Sequence, residues 1–191
     1  MIKLTIPISE TDIRKLKVGD EVSLSGTIVT ARDEAHKLMV EEKPAFIRDY
    51  LKESVIYHCG PVVRQGENGK WTFVSAGPTT SAREEPYQAD VVCEYNVRGV
   101  IGKGGMGDKT SEGLKKCGAV YFHAIGGAGT LIANSVVEVR EVFKLEEFGT
   151  PEAFWVIEVK DFPVVVTMDS HGGSLHKEVL AKSKKIMEEL L

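Results

Sequence analysis

Three times in this sequence an apolar, strand-like run ends at a short polar or glycine-rich loop: "TARD" at 30–33, "GPTTSAR" at 77–83 and "IGKGGMG" at 101–107. Strand ends followed by loops are where a rigid scaffold presents chemistry. A chain built this way must gather several strand ends, and the three loops are expected to form one site. Turn punctuation accounts for Gly77 and Pro78, since proline sets its own φ and glycine supplies freedom. It does not account for the two threonines, the serine and the arginine behind them.

The surrounding pattern is consistent with that expectation. "SETDIRKLKVG" predicts a short helix, with Ser9 as its cap and Gly19 as its stop. "EVSLSGTIVTA" places Val22, Leu24, Gly26 and Ile28 on one face of a strand. Asp33 is suited to cap the next helix, and Pro44 separates it from a second one, "PAFIRDYLKE". Strands are expected over "SVIYHCGPVV", "KWTFVSAG", "ADVVCEYNVRGVIG", "AVYFHAI", "SVVEVREVFKL", "AFWVIEVKDF" and "PVVVTMD". A short helix "DKTSEGLKKCG" stops at Gly118, and a closing helix carries an apolar stripe of Leu175, Val179, Ile186 and Leu190.

Length and composition bound the partners. The 191 residues suit one domain over 1–191, and 42% apolar with 27% charged residues is the composition of a folded core. A formal charge of −4 favours neither nucleic acid nor an anionic membrane, so any anion site is local. "MIKLTIPISETD" has no signal-peptide core and nothing approaches a membrane span, which predicts a cytoplasmic protein. Cys59, Cys93 and Cys117 show no ligand spacing and are expected as three reduced thiols, with no metal bound by this chain.

Gly102, Gly104 and Gly107 match the dinucleotide-binding glycine pattern, but the acidic residue needed roughly 20 positions on is missing. Lys103 is followed by glycine, so a P-loop fails as well. What survives is a generic anion cradle: exposed backbone N–H groups and one lysine at a helix start. Arg32 suits either a surface pair, with Asp33 or a helix end, or a bidentate carboxylate clamp. His36, His58 and His123 lack acid partners nearby in sequence and are expected as structural histidines, and Asp169 and His171 as caps.

"GTIVTARDEAHK", "YHCGP", "GPTTSAR", "IGKGGM" and "GAVYFHAIGGAGTLIANSVVEV", in that order, resemble the beta subunit or carboxy-terminal domain of the iron–sulfur class I fumarate hydratases. L(+)-tartrate dehydratase beta subunits share the pattern, which covers the chain from about Leu16 to the terminal helix. The resemblance implies a swivelling β/β/α domain of mixed α/β class, strand-rich and curved, flanked by helices. It implies a partner alpha subunit carrying a four-iron, four-sulfur cluster, a heterotetramer of two alpha and two beta chains, and a small dicarboxylate substrate. By motif match Thr79 corresponds to the catalytic acid/base, Arg32 and Arg83 to substrate ligands, and Lys103 with Gly104 in "KGGM" to a further contact. After Arg83 the chain has "EEPY" where the family more usually has methionine, and after "AHK" it has "LM" where a basic residue is common. The reaction implied is malate dehydration to fumarate, with tartrate dehydration and a non-catalytic anion or nucleotide module as alternatives.

Overall fold

The computed structural model describes residues 1–190. In chain order the elements are β1 (Ile2–Thr5), α1 (Glu10–Ile13), β2 (Glu21–Thr30), α2 (Asp33–Glu41), α3 (Ala45–Leu51), β3 (Val55–Tyr57), β4 (Val62–Gln65) and β5 (Trp71–Ser75). A 3-10 turn over Ser81–Arg83 leads into α4 (Glu85–Tyr95), β6 (Gly99–Gly102), α5 (Asp108–Cys117), β7 (Val120–His123), α6 (Gly129–Ala133), β8 (Val136–Phe143), α7 (Leu145–Phe148), β9 (Phe154–Met168) and α8 (Leu175–Leu190).

Strands β1, β2, β3, β6 and β7 run parallel to their neighbours, and β9 runs antiparallel to β7, β8 and β2. Because β9 pairs with both β7 and β2, the order β2-β3-β6-β7-β9 returns to β2 and the sheet curls into a ring. Successive residues on these strands enter two different cores. Ile28, Tyr57, Ile101, Phe122 and Ile157 join one cluster; Val29, Ile56, Val100, Tyr121 and Val156 join another that contains Met39, Ile47, Leu51, Val91 and Leu114 of α2–α5. Burial on both faces explains why the strands are nearly continuous apolar runs. The β4–β5 hairpin lays Trp71 and Phe73 edge-on against the fully buried Trp155, at 5.3 and 5.8 Å between ring centroids. That contact seats the hairpin and delivers the chain to Gly77 and Pro78.

The architecture is the expected strand-rich mixed α/β class, but several elements differ. "ADVVCEYNVRGVIG" is half helix: Pro86 lies in the first turn of α4, Gln88, Val91, Val92 and Tyr95 share its buried face, and Asn96 closes it at φ 58°. "SVIYHCGPVV" is divided between β3 in the large sheet and β4 in the hairpin, and the last two expected strands are one, bulged where Asp161 takes φ 51°. Asp33 does not cap α2, whose N-cap is Arg32; its carboxylate turns to Arg83. Cys93 and Cys117 are not reduced thiols but a disulfide joining α4 to α5, with Cα atoms 5.4 Å apart; Cys59 alone is free, and it is buried. The expected stripe on α8 exists, yet no residue of that helix is buried. No described helix is long and apolar enough to cross a membrane.

Candidate functional site

Parallel strands send their carboxyl ends to the same edge of the sheet, the usual place for ligands in α/β folds. Arg32 follows β2, His58 to Gly60 follow β3, and Lys103 follows β6. The "GPTTSAR" loop threads between the last two. Thr79 N–H donates to the His58 carbonyl at 2.8 Å, Lys103 N–H to the Thr79 carbonyl at 3.2 Å, and Ser81 N–H to the Lys103 carbonyl at 3.1 Å. The backbone itself thus sets the spacing between Thr79 and Lys103, and the structure brings the three expected loops together.

Beneath them lies a buried polar layer. His36 Nδ1 is 2.8 Å from the Arg32 carbonyl, which only accepts, so the proton is on Nδ1. Burial pulls His36 below its ordinary pKa and His58 well below, and a proton on His36 would repel one on His58. Both imidazoles are therefore neutral. The Nε2 atoms of His36 and His58 converge on the Gln88 amide at 2.9 and 2.7 Å. The structure sets Gln88 Oε1 toward both rings and leaves its Nε2 bare; exchanging the amide oxygen and nitrogen gives each imidazole Nε2 a hydrogen to accept, as neutral rings protonated on Nδ1 require. His58 then donates from Nδ1 to Ser81 Oγ at 2.8 Å, which is 2.8 Å from Tyr121 OH.

Gly102 makes room for this layer. A Cβ there would overlap Ser81 Oγ and lie 2.9 Å from Tyr121 OH and 3.1 Å from His58 Nδ1. Gly102→Ala is expected to destabilise the chain by about 1–3 kcal/mol through overpacking, read as a lower urea midpoint. Adding Ser81→Ala should recover part of that loss, because it removes the atom in the way. An unchanged midpoint in the single variant would show that the hydroxyl does not need the space.

The cations sit above the layer. Arg32, 16% exposed at its side chain, pairs with Glu152 at 3.2 Å and crosses Gly60, where a Cβ would be 2.8 Å from Nη1. Arg83, 57% exposed, is ion-paired with Asp33. Among the described residues Lys103 has no ion-pair partner within 4.0 Å. Gly104, the next residue, takes φ 84°, a conformation that suits glycine. Thr79 Oγ1 is buried without a hydrogen-bond partner.

The expected anion cradle at the start of α5 is already filled. Glu85 accepts from Gly107 N–H at 2.7 Å, Thr110 N–H at 3.1 Å and Thr110 Oγ1–H at 2.7 Å. That helix end is satisfied from within the chain, which removes the support for a phosphate there. His36 and His58 are structural, as expected. Asp169 binds the N–H groups of His171 and Gly173, at 2.9 Å each, and stabilises its own loop. Sequence reasoning missed Glu152, Glu85, Gln88 and Tyr121. Glu152 lies far from Arg32 along the chain and carries no local signal, whereas the Pro86 helix start could have placed Glu85 and Gln88.

The Fumarase C-terminus family profile matches residues 1–179. A protein of Geobacillus stearothermophilus, named provisionally as a class I fumarate hydratase, is 51% identical over 191 residues, 100% of this chain and 36% of its own length. In Methanocaldococcus jannaschii a protein named provisionally as an L(+)-tartrate dehydratase subunit beta is 44% identical over 189 residues, 96% of this chain and 93% of its own. The L(+)-tartrate dehydratase subunit beta of Escherichia coli is 41% identical over 187 residues, covering 97% of this chain and 90% of its own. The chain therefore spans only 36% of the first relative but nearly the whole of the other two. With the family profile matched over residues 1–179 and two relatives 44% and 41% identical over nearly their full length, this chain belongs to the Fumarase C-terminus family.

Proposed function

We propose that this chain is the beta-type half of a hydro-lyase that interconverts (S)-malate and fumarate, at a site completed by a partner alpha subunit in a cytoplasmic heterotetramer. The observation that supports the proposal is that the loops carrying Arg32, Arg83, Lys103 and Thr79, whose buried hydroxyl has no partner, meet at one sheet edge. Dehydration removes a proton from the carbon beside one carboxylate and hydroxide from the next carbon, forming the double bond and water. Negative charge builds on that carboxylate, so fixed cations stabilise the transition state more than the ground state. In this reading Arg32, Arg83, Lys103 and Gly104 hold the dicarboxylate, and Thr79 exchanges the carbon-bound proton.

The family resemblance assigns a four-iron, four-sulfur cluster to the alpha subunit. Among the described residues no three His, Cys, Asp or Glu side chains are grouped to hold a metal, Cys59 is buried, and Cys93 and Cys117 are bound to each other. These residues do not fit such a cluster, and the role of this chain rests on its own side chains. Tartrate is the second reading, favoured by the names of the Methanocaldococcus and Escherichia relatives. The test is anaerobic activity after iron and sulfide reconstitution, with the chain alone and with a cysteine-bearing alpha subunit. Fumarate is followed from malate and oxaloacetate from tartrate. Activity only in the mixture is expected; activity on neither diacid would return the site to a non-catalytic anion module.

A further inference from the structure

Glu84 directly follows Arg83 and is 0% exposed. Neither of its carboxylate oxygens has a hydrogen-bond partner among the described residues, and Asp33 Oδ1 is buried and bare as well. The two carboxyl groups lie within hydrogen-bonding reach of each other, while the other oxygen of Asp33 holds Arg83. As two carboxylates they offer only acceptors. Among the described residues no side-chain donor lies within hydrogen-bonding distance of the Glu84 oxygens. From the end of β3, His58 Nδ1 is 3.9 Å from Glu84 Oε2, but its hydrogen is directed to Ser81 Oγ at 2.8 Å. His36 on α2 is engaged by the Arg32 carbonyl and Gln88, and Tyr121 on β7 by Ser81. The Glu84 main-chain N–H already donates to the Ser81 carbonyl at 3.1 Å. Arg32 contributes charge; its Nη1 is paired with Glu152, and its Nε is buried but not within hydrogen-bonding distance of either Glu84 oxygen.

We propose that Glu84 is a positioning residue that carries a proton and donates it to Asp33, so that the pair presents a single negative charge to Arg83 and Arg32. This deepens the hydro-lyase reading and rests on it for its consequence in catalysis. Burial, and then the adjoining Asp33, push the Glu84 carboxyl up to about 8. Above that pH a second negative charge would stand behind the arginines, tightening their hold within the chain and repelling a dianionic substrate. The sign for stability follows from linkage. A carboxyl whose pKa is raised on folding stabilises the fold fully below its ordinary value of 4.5, and that contribution is lost as pH rises from there to about 8.

Two measurements test this, one of them independent of activity. In the reconstituted heteromer, KM for the diacid is expected to rise by up to about tenfold per pH unit above the Glu84 titration, with a smaller change in kcat. Glu84→Gln, which keeps the shape and a donor but cannot titrate, is expected to hold KM near its own neutral-pH value. In the full chain, the thermal midpoint of Glu84→Gln is expected to gain on that of the wild type as pH rises through the window above. A constant gap between the two midpoints, or superimposable KM profiles, would overturn the proposal. Should Glu84→Gln not fold, carbon-13 labelling of glutamate in the wild-type chain decides instead: no carboxyl titrating above the ordinary range overturns it. A widening gap in a heteromer inactive on both diacids would sink the hydro-lyase reading and leave the Glu84 proton standing.

Discussion

Replacing Thr79 by alanine is expected to lower turnover of the reconstituted heteromer by about 10²–10⁴-fold, the usual contribution of a positioned acid/base group, with KM nearly unchanged. The structure makes the side chain separable from its loop. The Thr79 backbone is held by the His58 carbonyl and the Lys103 N–H, whereas its Oγ1 has no partner to lose. The thermal midpoint should therefore hardly move. Thr79→Ser, which restores the hydroxyl, should recover much of the rate. A threonine hydroxyl is a poor base at its ordinary pKa, and nearby cations or a partner carboxylate must favour its deprotonated form. Unchanged turnover in Thr79→Ala would remove this assignment.

Arg83→Ala is expected to impair substrate binding and turnover together. Truncating one partner of a hydrogen-bonded charge pair costs about 2–5 kcal/mol, which is roughly 30-fold to several thousand-fold in kcat/KM. Arg83→Lys should rescue little, because an ammonium cannot reproduce the two-pronged fork. Folding should survive, since Arg83 is 57% exposed and Asp33, 28% exposed at its side chain, is partly open to water. Arg32→Ala should differ on that count: its partner Glu152 is only 19% exposed at the side chain, and would be left as a half-buried charge. A lower urea midpoint for Arg32→Ala than for Arg83→Ala is the expected contrast. Equal midpoints would show that Glu152 is not held by Arg32 in solution.

Much of the candidate site is legible in the sequence because its loops follow strands. Arg32, Thr79, Arg83 and Lys103 each lie within a few residues of a strand end or a Gly-Pro turn, and those signals are local. What was hidden depends on distance. Nothing near Glu152 in sequence points to Arg32, and nothing near Cys93 points to Cys117. The strand expected over "ADVVCEYNVRGVIG" failed because Val91 and Val92 suit either element, and the helical signals, Pro86 in the first turn and Asn96 at the end, bracket them at a distance. The anion cradle expected at the glycine cluster failed differently. Gly102 and Gly107 make room for Ser81 and Glu85, and Glu85 itself fills the helix start.

The two arginines arrive already neutralised, Arg32 by Glu152 and Arg83 by Asp33. Substrate capture in the proposed reaction is therefore an exchange, as on a resin whose sites are charged with a weaker counterion. A monocarboxylate can displace one internal carboxylate at most, and gains little over the contact it breaks. A dicarboxylate displaces both while losing its translational freedom once, so the second exchange proceeds at high effective concentration. Selection for diacids then comes from the resident carboxylates as much as from the arginines they occupy.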